Sequence, residues 1–144
     1  MDYYDITSPV VKFDSIQTIL ATANHLDWEI EMMDVKGAYL NSELDEEIYM
    51  AQPDHFDDGS RCVLKLVQAL YGLKQAGRIW HQKLCQVLEG LGFIRSTADE
   101  CIYIKRTRES MLIITIYVDD PGLFATLKNE MAKLKQDLTA LLKN

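Results

Sequence analysis

Cysteine is scarce in this chain, and the few cysteines stand far apart. The 144 residues include only Cys62, Cys85 and Cys101, an odd number with no C-x-x-C spacing. A disulfide framework needs paired cysteines, and a structural zinc site needs closely spaced pairs of ligands. The sequence therefore excludes a small disulfide-stapled protein and indicates no zinc site. We expect the three cysteines to act as small apolar residues in a reducing compartment.

Long hydrophobic runs and a basic amino terminus are also missing. No run of eighteen uncharged apolar residues occurs, and the opening MDYYDITSP is acidic where a secretory signal would be basic. We therefore predict no membrane partner and no secretion, and expect the protein in the cytoplasm or nucleus. With 48% hydrophobic and 26% charged residues, the composition is typical of a soluble globular protein, and the length fits one domain.

The net charge of −7 argues at first against a polyanionic partner, but it is unevenly distributed. Residues 1–60 carry 2 basic and 14 acidic residues, whereas residues 61–108 carry 9 basic and 3 acidic ones. The two segments therefore have net charges of −12 and +6, and the remainder has −1. This asymmetry fits a metal site beside a basic groove, although a mixed solvated surface is the commoner cause of such a pattern.

An apolar run, Met111 to Val118, ends abruptly at Asp119-Asp120-Pro121-Gly122. Its isoleucines, tyrosine and valine predict a buried strand. Two adjacent carboxylates at the end of such a strand are costly unless a cation neutralises them. The alternative is an ordinary surface turn, because Asp, Pro and Gly all favour turns.

A second strand with period-two patterning runs from Trp28 to Met33. Trp28, Ile30, Met32 and Asp34 fall on one face, so this aspartate lies in phase with apolar residues. Either Asp34 has a partner or a metal there, or the strand ends at Met33 and Asp34 is solvated.

Three amphipathic helices complete the pattern. The first is predicted from about Ser15 to His25, with Asp14 as its N-cap. The second follows the glycine-containing turn Leu70–Gly77 and has an apolar stripe, and the third closes the chain. The members of the two later stripes are Trp80, Leu84, Val87, Leu88 and Leu91, then Met131, Leu134, Leu138, Leu141 and Leu142. Helices interspersed with antiparallel hairpins predict an α+β fold.

Several segments together resemble the reverse transcriptase domain of copia-type long-terminal-repeat retrotransposons. They occur in the order and at the spacing of that family, across nearly the whole chain. The matching segments are Ser8–Val11, Met33–Leu40, Ile48–Met50 with Gln52-Pro53, Leu70–Ala76, Gly92-Phe93 with Arg95-Ser96, and Tyr117–Asp120.

The resemblance implies a polymerase palm, an antiparallel sheet backed by helices, together with part of the fingers. It implies RNA-directed DNA polymerase activity by two-metal nucleotidyl transfer, in which Asp34, Asp119 and Asp120 are both the catalytic residues and the ligands of two Mg²⁺ ions, with Mn²⁺ as an alternative. The implied partners are an RNA template, a DNA primer strand, dNTPs and the remainder of a Pol polyprotein. The implied setting is a cytoplasmic virus-like particle or the nucleus.

The resemblance also implies a nucleotide-binding set around these aspartates. Tyr39 matches the aromatic residue that crowds the sugar 2′ position and so selects deoxynucleotides. Gly37 and Ala38 would offer backbone amides to the triphosphate. Gly72, Lys74 and Gln75 match the segment that lies against the incoming nucleotide and the template. From the residues alone, Tyr39 in the core and Gly72 as a turn former remain alternatives.

Two residues depart from the family pattern. Pro121 stands where an aliphatic residue usually begins the return strand, and Gly77 stands where a proline commonly opens the helix. Because proline lacks an amide donor and restricts the preceding residue, we expect an altered turn around the aspartates.

The family's segments also bear on domain organisation and activity. We expect residues 1–144 to be a single truncated fingers and palm domain, without thumb, ribonuclease H, integrase or protease, and inactive in processive synthesis when isolated. The alternative function is a catalytically inactive transposon remnant, degenerate or co-opted, that folds and binds a metal or a partner.

Overall fold

The part of the chain that the structure describes folds into three α-helices and two antiparallel sheets. The computed structural model describes residues 8–42, 44, 46–56, 58–60 and 62–142. The elements are α1 (Phe13–His25), β1 (Glu29–Met32), a 3₁₀ helix (Ala38–Asn41), β2 (Tyr49–Ala51), β3 (Val63–Lys65), α2 (Ala76–Gly90), β4 (Ile94–Arg95), β5 (Ile102–Arg106), β6 (Met111–Thr115), β7 (Gly122–Ala125) and α3 (Lys128–Leu142).

The main sheet has five strands in the order β1-β7-β6-β5-β4, with all neighbours antiparallel. Strands β6 and β7 form its centre, where β-branched and aromatic side chains suit a pleated buried surface. Their hairpin pairs Ile114 with Leu123 and Thr115 with Gly122. The predicted α+β fold with a palm-like antiparallel sheet is confirmed. Strands β2 and β3 form a separate two-stranded sheet.

Helices α2 and α3 pack on the main sheet through residues four positions apart. Trp80, Leu84 and Leu88 of α2 are buried, as are Leu134 and Leu138 of α3. A spacing of four keeps these side chains on one helix face, and burying each leucine contributes about 1.5–3 kcal/mol. The side chains of the sheet in the same core cluster are Ile102, Tyr103, Leu112, Ile114, Leu123 and Ala125. The predicted stripes are confirmed except at Leu141, which is exposed.

The predicted orientation of β1 is wrong. Ile30 and Met32, which the sequence pattern places on the apolar face, are 40% and 68% exposed. The other face is the more covered one, and its Glu31 forms an ion pair with Lys135 of α3. Helix α3 packs on the face of β1 that carries Glu31. The residues with the alternate spacing, Ile30, Met32 and Asp34, therefore lie on the opposite face of the sheet, which is open at Ile30 and Met32.

The start of α1 also differs from its prediction. The helix begins at Phe13, and Lys12 occupies the N-cap position with no side-chain capping bond, so Asp14 lies inside the first turn. The backbone amide of Lys12 instead donates to Asp99 Oδ2 (2.9 Å), while the amide of Cys101 donates to Asp99 Oδ1 (3.0 Å). A buried carboxylate from a distant loop therefore replaces the local cap.

Gly77 does not prevent α2 from forming, since the helix begins one residue earlier, at Ala76. A Cβ atom at Gly77 would lie 3.3 Å from Cβ of Ser8. That distance is tighter than ordinary contact, so glycine here leaves room for the incoming segment at Ser8 and Pro9.

Candidate active site

Backbone pairing beyond the end of β1 brings the predicted aspartates together. The last strand pair joins Met32 to Gly122. Further along, the amide of Met33 donates to the carbonyl of Pro121 (3.0 Å), and the amide of Val35 donates to the carbonyl of Asp119 (3.4 Å). Asp34 lies between these two donors, so it runs alongside the tip of the β6–β7 hairpin. The structure thus places Asp34 and Asp119 on neighbouring segments 85 residues apart in the chain.

The tip of this hairpin is a strained turn held by a helix. The amide of Asp120 donates to the carbonyl of Tyr117 (2.9 Å), and Val118 has φ of 56°, in the left-handed region. A β-branched residue in that region costs about 1–3 kcal/mol and persists only where its surroundings hold it. Here the indole Nε1–H of the fully buried Trp80 donates to the carbonyl of Val118 (3.0 Å). Helix α2 therefore fixes the turn that presents Asp119.

Two tyrosines adjoin the aspartates. The hydroxyl of Tyr71 donates to Asp119 Oδ2 at 2.6 Å. The ring of Tyr71 also packs against the ring of Tyr39, with centroids 4.2 Å apart and planes tilted by 48°. We call Asp34, Tyr39, Tyr71 and Asp119 the aspartate–tyrosine cluster.

The acid–base properties of the tyrosines reflect the nearby negative charge. The hydrogen bond to Asp119, then burial and the charges of Asp119 and Asp34, raise the pKa of Tyr71 to about 12. Burial, followed by the charge of Asp119, also raises the pKa of Tyr39 above its ordinary value. Both hydroxyls therefore stay protonated at neutral pH, and Tyr71 acts as a hydrogen-bond donor rather than as a base.

The remaining predicted nucleotide-binding residues lie in two turns, one before Tyr39 and one after Tyr71. Gly37 has φ of 64° and precedes the 3₁₀ helix that carries Tyr39. The amide of the fully buried Ala38 already donates to the carbonyl of Val35 (3.1 Å), so a direct bond to a phosphate would require this bond to open.

The second turn follows Tyr71 directly. Gly72 has φ of 99°, a conformation that favours glycine. A Cβ atom there would meet nothing within 4 Å, so the glycine serves the backbone conformation rather than close packing. Lys74 is exposed and Gln75 is the residue before α2, half-buried. Their contacts with a nucleotide stay predictions.

The donor set of the cluster suits a hard divalent cation. Mg²⁺ is commonly held by one or two carboxylates, with waters and substrate phosphates completing its shell, and Asp34 and Asp119 supply two carboxylates. Within the described residues, no three Asp, Glu, His or Cys side chains are grouped closely enough to hold an ion. Asp120 is exposed at the hairpin tip, and its assignment as a third ligand stays a prediction.

Comparison with known proteins identifies the family of the chain. A family described as "Reverse transcriptase (RNA-dependent DNA polymerase)" matches residues 1–143. The chain belongs to the reverse transcriptase family. This membership confirms the resemblance inferred from the segments around Asp34, Tyr71 and Asp119.

Curated relatives of this reverse transcriptase domain are Pol polyproteins of copia-type transposons. The retrovirus-related Pol polyprotein from transposon TNT 1-94 of Nicotiana tabacum is 44% identical over 142 residues, covering 96% of this chain and 11% of the relative. That from transposon RE2 of Arabidopsis thaliana is 37% identical, covering 98% of this chain and 10% of the relative. The chain thus spans about a tenth of the length of these relatives. No solved structure matches it.

Two features of the site escaped sequence reasoning. Tyr71 lies inside the matched segment Leu70–Ala76, next to Gly72, but nothing local in the sequence indicates that its hydroxyl reaches Asp119. Trp80 belongs to the predicted apolar stripe, which gives no sign that its indole N–H supports the turn at Val118. Separately, none of the helices in the described ranges is long and apolar enough to cross a membrane.

Proposed function

We propose that this reverse transcriptase domain is the catalytic core of an RNA-directed DNA polymerase, which adds deoxynucleotides to a DNA primer on an RNA template. The observation that carries the proposal is the pairing of the Asp34 segment with the Asp119 turn, at the open side of the sheet. Backbone hydrogen bonds hold the two segments that carry these aspartates side by side, and nucleotidyl transfer requires its reacting groups to be positioned in this way. Membership of the reverse transcriptase family supports the same reaction.

Divalent metal ions fit the carboxylates of the cluster. Asp34 and Asp119 would hold two Mg²⁺ ions, or Mn²⁺, with Asp120 as the third ligand. When bound, the ions activate the primer 3′-hydroxyl and neutralise the charge that develops on the triphosphate. No protein nucleophile is needed, because the chain's own contribution is to position the substrates and to exclude unproductive geometries.

The residues around the aspartates would bind and select the nucleotide. Tyr39, packed against Tyr71, would crowd the sugar 2′ position and disfavour ribonucleotides. The turns at Gly37-Ala38 and at Gly72 would border the triphosphate and base, and the exposed ammonium of Lys74 would add positive charge. Gln75 would lie against the template side of the nucleotide.

The partners follow from charge and from the relatives. The net charge of +6 over residues 61–108 would attract phosphate backbones by releasing their counterions. We propose an RNA template and a DNA primer as these partners. We also propose that the domain works within a Pol polyprotein, the description that its curated relatives carry.

The test measures metal binding and primer extension by the 144-residue protein. Free Mn²⁺ is counted by electron paramagnetic resonance, and incorporation of dTTP is followed on poly(rA)/oligo(dT). We expect wild type to bind Mn²⁺ and to add short stretches of dTMP, and Asp119→Asn to lose both. Asp14→Asn, an exposed acid in α1, is the matched control and should retain both. Wild-type protein that binds no Mn²⁺ and adds no nucleotide would refute the proposal.

One observation favours the second candidate, an inactive transposon remnant that binds a metal or a partner. In an antiparallel pair whose residues exchange hydrogen bonds, each residue donates once. Met33 donates to Pro121, but proline has no amide to return the bond. One of the two hydrogen bonds of this residue pair is therefore missing, next to Asp34 and Asp119.

Replacing the proline separates the two candidates. Pro121→Leu restores an amide opposite the carbonyl of Met33 without touching a carboxylate. If the variant gains Mn²⁺ affinity and primer extension that wild type lacks, the proline has inactivated the site and the remnant interpretation holds. If wild type is active and the variant is unchanged, the first proposal holds.

A further inference from the structure

Tyr71 contacts two residues that the proposed function places in different roles. Its hydroxyl donates to Asp119 Oδ2, and its ring packs against Tyr39. We propose that Tyr71 is a positioning residue that orients the metal-binding carboxylate of Asp119 and the sugar-facing ring of Tyr39 together. This inference rests on the proposed function, because it assumes that Asp119 holds a cation and that Tyr39 faces the nucleotide.

The hydrogen bond from Tyr71 restricts the rotation of the Asp119 side chain. The backbone of Asp119 is already fixed, since its carbonyl accepts from Val35 and the preceding carbonyl, that of Val118, accepts from Trp80. Rotation about the side-chain bonds remains. A hydrogen bond of 2.6 Å from Tyr71 to one carboxylate oxygen restricts that rotation and leaves the other oxygen for a cation.

Hydrogen bonds of this kind tune metal affinity. Ligating carboxylates are commonly held by outer partners, whose removal typically lowers metal affinity by about 10–100-fold. The hydroxyl of Tyr71 donates a hydrogen bond directly to the carboxylate of Asp119, so Tyr71 is an outer partner of this kind.

The contact to Tyr39 uses the ring rather than the hydroxyl. The two residues lie on separate turns, 32 positions apart in the chain, so their packing joins the turn after Asp34 to the turn before α2. A tilted aromatic pair with centroids 4.2 Å apart restricts the rotation of both rings. Without the ring of Tyr71, Tyr39 has fewer constraints and would discriminate less well between deoxyribose and ribose.

Two substitutions separate the two contacts. Tyr71→Phe removes the hydroxyl but keeps the ring, whereas Tyr71→Leu removes both. Tyr71 is 58% exposed, so neither change opens a cavity in the core. Tyr49→Phe is the matched control, because the hydroxyl of Tyr49 also donates to a carboxylate, that of Glu47 (3.1 Å), and Tyr49 lies in strand β2, outside the cluster.

The first readout is Mn²⁺ affinity, measured by electron paramagnetic resonance in the absence of nucleotide. We expect Tyr71→Phe and Tyr71→Leu to bind Mn²⁺ about 10–100-fold more weakly than wild type, and Tyr49→Phe to match wild type. Equal affinity in wild type and Tyr71→Phe would overturn the role towards Asp119 while leaving the proposed function intact. A wild-type protein that binds no Mn²⁺ would overturn both.

The second readout is the ratio of dUTP to UTP affinity at saturating Mn²⁺, measured by equilibrium dialysis, because these two nucleotides differ only at the sugar 2′ position. We expect Tyr71→Phe to keep the wild-type preference for dUTP, because the ring pair survives. Tyr71→Leu should lose most of that preference. If Tyr71→Leu discriminates as well as wild type, or if wild type shows no preference, the role towards Tyr39 is overturned.

Discussion

Replacing Gly122 with alanine should destabilise the hairpin that presents Asp119. Gly122 is the first residue of β7 and pairs with Thr115 on one side and Met32 on the other. An alanine Cβ would lie 2.5 Å from Thr115 Oγ1 and 3.3 Å from Phe124 Cε2. The first distance is shorter than real Cβ contacts allow, so a neighbour must move. Thr115 is buried, and its branched side chain has few alternative rotamers.

The size of the effect follows from the cost of overpacking. An extra methyl group forced into a well-packed site usually costs about 1–3 kcal/mol. For a domain of this length, each kcal/mol lowers Tm by roughly 3 °C, so Gly122→Ala should melt about 3–9 °C below wild type. Circular dichroism during thermal and urea unfolding measures the loss.

A double-mutant cycle tests the stated cause. Thr115→Ala removes the clashing Oγ1, so Gly122→Ala should cost less in that background, with a coupling of about 0.5–3 kcal/mol. Gly90→Ala is the matched control, because a Cβ at Gly90, at the end of α2, meets nothing within 4 Å. It should leave stability unchanged or raise it by about 0.5–1 kcal/mol. If Gly122→Ala has the same Tm as wild type, or if the coupling free energy between Gly122→Ala and Thr115→Ala is zero, the steric explanation fails.

Three further perturbations test other contacts in the same fold. Trp80→Phe removes the donor to the carbonyl of Val118 and leaves a small void, so urea unfolding should show a loss of about 2–4 kcal/mol; a loss below about 0.5 kcal/mol would mean that the indole does not hold the turn. Burial lowers the pKa of His81 in the folded protein below its ordinary value of about 6.5. As pH falls below about 6.5, His81 is therefore protonated in the unfolded state before it is protonated in the folded state. The free energy of unfolding should accordingly fall as pH drops from about 6.5 through the folded pKa. Urea midpoints between pH 7.5 and 5 should show this fall in wild type and not in His81→Leu, and an identical pH dependence in both would contradict it. Asp99→Ala leaves two backbone amides without their acceptor and should lower the free energy of unfolding in urea by about 2–3 kcal/mol. The control Asp14→Ala, at an exposed position, should change that free energy little.

The sequence alone was sufficient for the features that depend on local patterns. A spacing of four residues predicts the buried faces of α2 and α3, because helical geometry repeats on that interval. The run from Met111 to Val118 predicts the central hairpin strand, although β6 ends at Thr115 and the turn begins at Val118. The order and spacing of the matched segments were enough to indicate the family, and the same resemblance predicts Asp34, Asp119 and Asp120 as site residues.

Only the tertiary structure decided how those parts face one another. Period-two patterning in β1 separates its two faces but does not say which one a distant helix will cover, and α3 covers the face with Glu31 rather than that with Met32. The N-cap of α1 was likewise misjudged, because Asp99, 87 residues from Lys12, replaces the local cap.

The bond from Tyr71 to Asp119 joins residues 48 positions apart. A contact between such distant residues depends on the position of the turn that precedes α2 and carries Tyr71. It also depends on the left-handed conformation of Val118, whose carbonyl accepts a hydrogen bond from Trp80. Local sequence reports local conformation and periodicity, whereas the meeting of distant side chains is fixed by the packing of the whole core. For that reason the sequence predicts the aspartates as site residues, whereas only the fold shows that the hydroxyl of Tyr71 donates a hydrogen bond to Asp119.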